Sequence, residues 1–158
     1  MVRALGPIPR DRPVVELGSG TGAITESMVE AFPQHPKFAV EYNATFAGLL
    51  TRKFPDLRLG VICASELCAY LRSHGVASGS VGGVLSGLPL TGFRRPLRQK
   101  IFAAIEQALV PGGLYVQMTY HPVIWKFIGP RGFHRLRSHR VWRNLPPAVV
   151  LVFRKPDA

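Results

Sequence analysis

The chemistry starts at Glu16-Leu17-Gly18-Ser19-Gly20-Thr21-Gly22. Three glycines at alternate positions let the backbone turn sharply and meet a ligand with no Cβ in the way. The last spacing is one residue shorter than in the G-x-G-x-x-G turn that seats a pyrophosphate. Glu16, two residues before the first glycine, also opposes a phosphate, because a carboxylate repels it and attracts a cationic amino-acid group instead. A second carboxylate, Glu41, follows Gly22 by 19 residues. At that distance in an alternating strand–helix chain, an acidic side chain accepts hydrogen bonds from both hydroxyls of a ribose. A ribose diol joined to a zwitterionic amino acid describes S-adenosylmethionine. The candidate cofactor contacts are therefore Glu16, Gly18, Ser19, Gly20, Thr21, Gly22, Glu41 and the adjacent Tyr42. The plain alternative is that Glu16 caps a turn and Glu41 ends a strand in solvent. The register of both carboxylates with the glycines favours the cofactor.

The surrounding elements must hold these residues. Residues 13–17 form a short apolar run that reads as a buried strand, and 21–32 carry Ile24, Met28, Val29 and Phe32 at helical spacing. Pro33 and Pro36 stop that helix. Strands are expected at 37–41, 57–62, 80–85 and 114–119. Helices are expected from the Asn43 cap to Phe54, over 66–72 and over 97–109, with Pro111-Gly112-Gly113 ending the last. This alternation predicts a mostly parallel sheet with helices on both faces. Residues 121–138 read as a basic, aromatic-bearing loop or helix. Strands at 140–143 and 149–153 lie too close for a crossover helix, so they predict an antiparallel hairpin.

The chain has 158 residues and a formal net charge of +11. Its length suits one domain spanning 1–158. Residues 1–90 carry a net charge of +1, and residues 91–158 carry +10. An anionic partner is thus expected at the second half. Cys63 and Cys68 are too few for a disulfide framework and match no zinc-ligand spacing, so no metal is expected. No apolar run is long enough to span a bilayer, and the N-terminus lacks a signal peptide's apolar stretch.

Val15-Glu16-Leu17-Gly18-Ser19-Gly20-Thr21-Gly22 resembles the first motif of class I S-adenosylmethionine-dependent methyltransferases, and the final hairpin resembles that family's ending. The resemblance implies a Rossmann-like α/β fold with seven strands in the order 3-2-1-4-5-7-6. It implies S-adenosylmethionine as cofactor, S-adenosylhomocysteine as product, and no metal. The family's third-strand motif normally carries an Asp toward the adenine. Here the segment is Val61-Ile62-Cys63-Ala64-Ser65-Glu66-Leu67, with no Asp, so Ser65 or Glu66, or a backbone amide, takes its place, with Ala64 and Ser65 as the expected adenine-side contacts.

The segment after the fourth strand, Ser86-Gly87-Leu88-Pro89-Leu90, indicates the methyl acceptor. Base-amine methyltransferases place an amide and an aromatic ring there, where this chain has Gly87 and Leu90, so a planar base finds neither acceptor nor stacking partner. The segment instead resembles the loop of bacterial phospholipid N-methyltransferases, as do Gln117-Met118-Thr119-Tyr120 and residues 141–148. This implies transfer to the amine of phosphatidylethanolamine or its methylated derivatives, at the inner face of the cytoplasmic membrane, by a cytoplasmic, peripherally attached enzyme. The alternatives are an rRNA adenine N6-methyltransferase, or a cofactor-binding domain with little activity. Ser86 and Leu88 are candidate amine contacts, Ser86 also touching the cofactor; Tyr120 is the candidate amine orienter and His121 the candidate proton acceptor. Lys126, Arg131, Arg135, Arg137, Arg140 and Arg143, interleaved with aromatic residues, are the expected contacts to phospholipid and anionic membrane, with nucleic acid the less favoured partner. The family's N-terminal amphipathic lid helix has no counterpart in the roughly 13 residues before the first strand.

Overall fold

The structure is a computed structural model and describes residues 1–141 and 148–157. A 3-10 turn at Val2–Leu5 precedes β1 (Val14–Leu17), α1 (Ala23–Ala31), β2 (Lys37–Val40), α2 (Ala44–Lys53) and β3 (Arg58–Gly60). Then come α3 (Leu67–Ser73), β4 (Val81–Ser86), α4 (Arg95–Ala108), β5 (Leu109–Thr119), α5 (Trp125–Ile128), β6 (His134–Val141) and β7 (Ala148–Arg154). The seven strands lie in the order β3-β2-β1-β4-β5-β7-β6. The first five run parallel, and β7 pairs antiparallel with both β5 and β6. This is the expected Rossmann-like sheet with its antiparallel ending.

Each face of the sheet buries its own core. Val15, Leu17, Val84 and Tyr115 pack toward α3 and α4, with Ile101 and Ile105 of α4 among them. Val14, Ala39, Leu85 and Val116 face the other way, against Met28 of α1 and the N-terminal Val2 and Leu5. Burial of each such side chain stabilises the fold by roughly 1.5–3 kcal/mol. Gly83 explains how the N-terminal segment sits so close: a Cβ there would lie 2.8 Å from Leu5 Cδ2 and 2.9 Å from Ile8 Cδ1. Asn43 caps α2 as expected, its side chain accepting hydrogen bonds from the Thr45 and Phe46 amides.

Three elements differ from expectation. β3 is only three residues long, because the chain enters a 3-10 turn at Ala64–Glu66 soon after Gly60. Pro111-Gly112-Gly113 does not end the helix; it lies inside β5, where the β4–β5 register shifts between Val81 and Gly83. A bulge tolerates the missing proline donor and uses the positive φ of Gly112. β6 begins at His134 rather than Arg140, and it is an edge strand exposed from His134 to Arg140. Such a strand buries no apolar face, so hydrophobic alternation cannot reveal it.

Candidate functional site

The parallel register sets Leu17 beside Val40 on one side and Ser86 on the other. The loops leaving β1, β2 and β4 therefore emerge along one edge, at the carboxyl ends where such sheets bind ligands. Gly18 N donates to Val40 O at 2.8 Å, and Gly87 N donates to Leu17 O at 2.9 Å. Gly18, Gly20 and Gly22 adopt φ of +72°, +52° and +90°, which L side chains rarely accept. Glu41 is buried and stitches the turn to β2. Its Oε2 accepts from Gly20 N at 2.7 Å, and its Oε1 accepts from Asn43 N at 2.8 Å. Each carboxylate oxygen keeps a further lone pair for a hydroxyl.

Glu16 is fully buried on the α1 side of the sheet. Thr25 of α1 donates its hydroxyl to Glu16 Oε2 at 2.6 Å. The Ser19 hydroxyl approaches closely enough to ease ionisation. Neither Glu16 Oε1 nor Ser19 Oγ makes a well-formed hydrogen bond among the described residues, though both are buried. Burial raises the Glu16 pKa to about 7, opposed by Thr25 and Ser19 and reinforced slightly by the charge of Glu41. An unpartnered buried carboxylate oxygen is costly unless something cationic reaches it. A cavity of about 860 Å³ opens on the Ser19 side of the turn, bordered by Arg3, Gly18, Ser19, Gly20, Gly87 and Met118, with Glu16 buried behind its wall. The orphaned oxygens and the glycine cradle thus fit a ligand carrying an ammonium group, as S-adenosylmethionine does.

The loop after β4 lies directly on this turn. A Cβ on Gly18 would come within 2.6 Å of Leu88 Cδ2, and one on Gly87 within 3.0 Å of Gly18 O. A buried polar chain holds the loop from beneath. Tyr115 donates to Gln117 Oε1 at 2.5 Å, and Gln117 Nε2 donates to Leu88 O at 2.9 Å. The Ser86 hydroxyl lies close enough to Tyr115 to ease its ionisation, and it accepts from Leu88 N at 3.3 Å. Burial drives the Tyr115 pKa upward, so its proton stays in place as the donor.

The remaining candidates fall into distinct places. Ser86 is fully buried beneath the loop, where β4 ends inside the sheet. The Leu88 carbonyl already accepts from Gln117 Nε2 at 2.9 Å and from Leu90 N at 2.8 Å, which occupies both of its lone pairs. Tyr42 is 80% exposed beside Glu41. Ala64 is buried and Ser65 half-buried in the turn after β3, where the Ser65 hydroxyl donates to Cys63 Sγ. Thr21 is exposed in the glycine turn. Tyr120 and His121 are exposed just beyond β5, the His121 amide donating to Thr119 Oγ1 at 3.1 Å. The basic residues do not form one cluster. Lys126 lies in α5 and Arg131 follows it, whereas Arg135, Arg137 and Arg140 line the edge strand β6. Arg143 and the signature at 142–147 lie outside the described residues. Among the described residues no group of three His, Cys, Asp or Glu side chains could hold a metal, and no helix is long and apolar enough to cross a membrane.

Gln117, Tyr115 and Thr25 are the site residues that sequence reasoning passed over. Gln117 had a visible signal, a polar residue within the apolar run of β5. Thr25 and Tyr115 had none, because a helix threonine and a core tyrosine are ordinary.

Over 146 residues the chain is 32% identical to the ornithine lipid N-methyltransferase of Singulisphaera acidiphila, covering 90% of this chain and 75% of the relative. The chain belongs to that methyltransferase family. No family model matches the chain. Solved structures share the fold at lower identity. TrmN of Thermus thermophilus superposes with a TM-score of 0.78 at 21% identity, over 98% of this chain, which spans 46% of TrmN's length. The 1,6-didemethyltoxoflavin-N1-methyltransferase of Burkholderia thailandensis, solved with S-adenosylhomocysteine bound, gives 0.71 at 20% identity over 94% of this chain and 72% of that one. The N-methyltransferase NodS of Bradyrhizobium japonicum gives 0.73 at 10% identity, over 99% and 90%. Family membership and fold together make the chain an S-adenosylmethionine-dependent methyltransferase.

Proposed function

We propose that this methyltransferase methylates the amine of a lipid headgroup at a membrane surface. The observation that carries the reading is the pressing of Gly87 and Leu88 onto Gly18 with no amide side chain or ring at the loop. Leu90, at the place where a base would stack, is itself buried. A small aliphatic amine needs neither feature. The named activity of the Singulisphaera relative supports an ornithine headgroup as acceptor. The likeness of residues 86–90 supports phosphatidylethanolamine or its methylated derivatives. Both headgroups present a primary amine to the same loop.

S-adenosylmethionine supplies an electrophilic methyl on a sulfonium. Glu16 and the buried Ser19 hydroxyl hold the ammonium of its amino-acid part, Glu41 takes the ribose diol, and Tyr42, Ala64 and Ser65 border the adenine. The Tyr120 hydroxyl orients the acceptor amine, beside the loop at Leu88. His121 accepts the proton that the headgroup ammonium must lose before its nitrogen can attack. Most of the rate comes from positioning, since the reaction is a single in-line displacement.

The test offers the protein methyl-labelled cofactor with vesicles containing either ornithine lipid or phosphatidylethanolamine, and reads labelled lipid by mass. Label in either lipid supports the proposal, and the preferred one names the acceptor. Label in added RNA with both lipids unchanged would overturn it.

A further inference from the structure

We infer that a cleft between α4 and the segment after α5 binds the phosphate of an anionic membrane lipid, at a site separate from the acceptor amine. The inference rests on the membrane reading above for the source of that phosphate. Arg95 and Arg98 from α4 and Arg131 from the segment after α5 border one cleft of about 440 Å³. That volume suits a single headgroup. None of the three arginines forms an ion pair among the described residues; Arg98 donates to Phe93 O at 2.9 Å. Glu106 is the one carboxylate bordering the cleft, so its lining carries a net charge of +2. Guanidinium groups match phosphate oxygens in paired hydrogen bonds. The fold does not benefit from these charges: Arg94, Arg95 and Arg98 open α4 with no acidic residue in its first turn, an arrangement that costs the helix stability.

The rim of the cleft decides between a bilayer and a nucleic acid. Phe127 is 83% exposed at its edge, and Val123 and Ile124 stand 66% and 43% exposed just before α5. Val and Ile have no π face on which a base can stack, but all three side chains can enter the boundary between headgroups and acyl chains. Tyr120 and the acceptor loop lie at the same carboxyl edge of the sheet from which α5 departs. A phosphate held in the cleft therefore seats the membrane against the acceptor side.

The test measures co-sedimentation of the full chain with phosphatidylglycerol vesicles and with neutral phosphatidylcholine vesicles. Arg95→Gln with Arg131→Gln is expected to weaken partition onto the anionic vesicles about thirtyfold, roughly fivefold for each arginine, leaving neutral vesicles unaffected. Arg10→Gln with Arg52→Gln removes the same charge elsewhere and serves as control. An equal loss in both double variants would overturn the site and leave only general charge attraction. Phe127→Ser is expected to weaken binding to both vesicle types, and no change would overturn the rim assignment. Saturable binding of inorganic phosphate alone, abolished by the double variant, would move the ligand from lipid to free phosphate. Tighter binding of RNA than of the vesicles, lost in the same variant, would overturn the membrane source. Melting temperatures close to wild type separate these outcomes from unfolding. Anionic-vesicle binding that depends on Arg95 and Arg131 in a protein that methylates no lipid would sink the proposed activity and keep the site. Lipid methylation with partition indifferent to both arginines would do the reverse.

Discussion

Glu16 is sealed inside the sheet on a single threonine hydroxyl, whereas Arg95, Arg131 and Arg135 stand in solvent on α4, the segment after α5 and β6. The first half of the chain builds its candidate site from burial: two carboxylates and three glycines of positive φ, held within a region of net charge +1. The second half works with accumulated charge, +10 over residues 91–158, spread across exposed elements. A cationic cofactor asks for few, well-placed anionic groups. A large anionic surface asks for many cations and little geometry. The contrast predicts that substitutions on the cofactor side change stability and affinity together, in either direction, and that those on the basic side change binding while leaving the fold intact.

The strongest way to break the comparison is at Gly18. Gly18→Ala combines a positive φ with a Cβ pushed into Leu88, so unfolding free energy should fall by about 3–4 kcal/mol in urea titrations. Cofactor affinity should fall more than about tenfold, since the turn proposed to hold the cofactor must itself distort.

Glu16 tests the burial side by pH. Its folded pKa of about 7 lies above the ordinary 4.5, so the folded protein favours the protonated carboxyl. Stability from this group is full below the unfolded value and is lost as pH rises to about 7, a loss of about 3 kcal/mol. Glu16→Gln should abolish that slope, leaving the variant more stable than wild type at pH 8 and a poorer cofactor binder. In the wild type, cofactor affinity should tighten as pH rises toward about 7, by at most tenfold per pH unit. Denaturation and calorimetry across pH read the two effects separately.

Gln117 lies between the halves. Gln117→Leu strips the Leu88 carbonyl and the Tyr115 hydroxyl of a buried partner and should cost about 1–3 kcal/mol. Turnover should fall with the cofactor dissociation constant unchanged. A matching loss of cofactor affinity would show that the loop and the turn form one site rather than two. The smallest effect is expected at Arg135→Gln on the exposed edge strand: stability within about 0.5 kcal/mol of wild type, with weaker retention on anionic vesicles at low salt.

Legibility in the sequence follows the same division. The glycine turn, both carboxylates and the strand order were readable because βαβ periodicity and glycine spacing are local signals that burial enforces. The Asn43 cap was readable for the same reason. The edge strand β6 was only half readable, since from His134 to Arg140 it is exposed and shows no alternation. Pro111-Gly112-Gly113 misled, because its usual meaning is a helix stop, while here it forms a bulge inside β5. Ser86 reads as a site hydroxyl from its position at the end of a strand. The three-dimensional register adds that it is buried, close to Tyr115. The arginine cleft joins residues about 35 positions apart across two elements, a proximity that no local pattern encodes.

The most direct measurement of the central claim is a competition in one vessel: methyl-labelled S-adenosylmethionine, amine-lipid vesicles and total RNA with the protein. The account predicts label in the lipid, none in RNA, and loss of that label in Gly18→Ala. Label in RNA with the lipid untouched would contradict it.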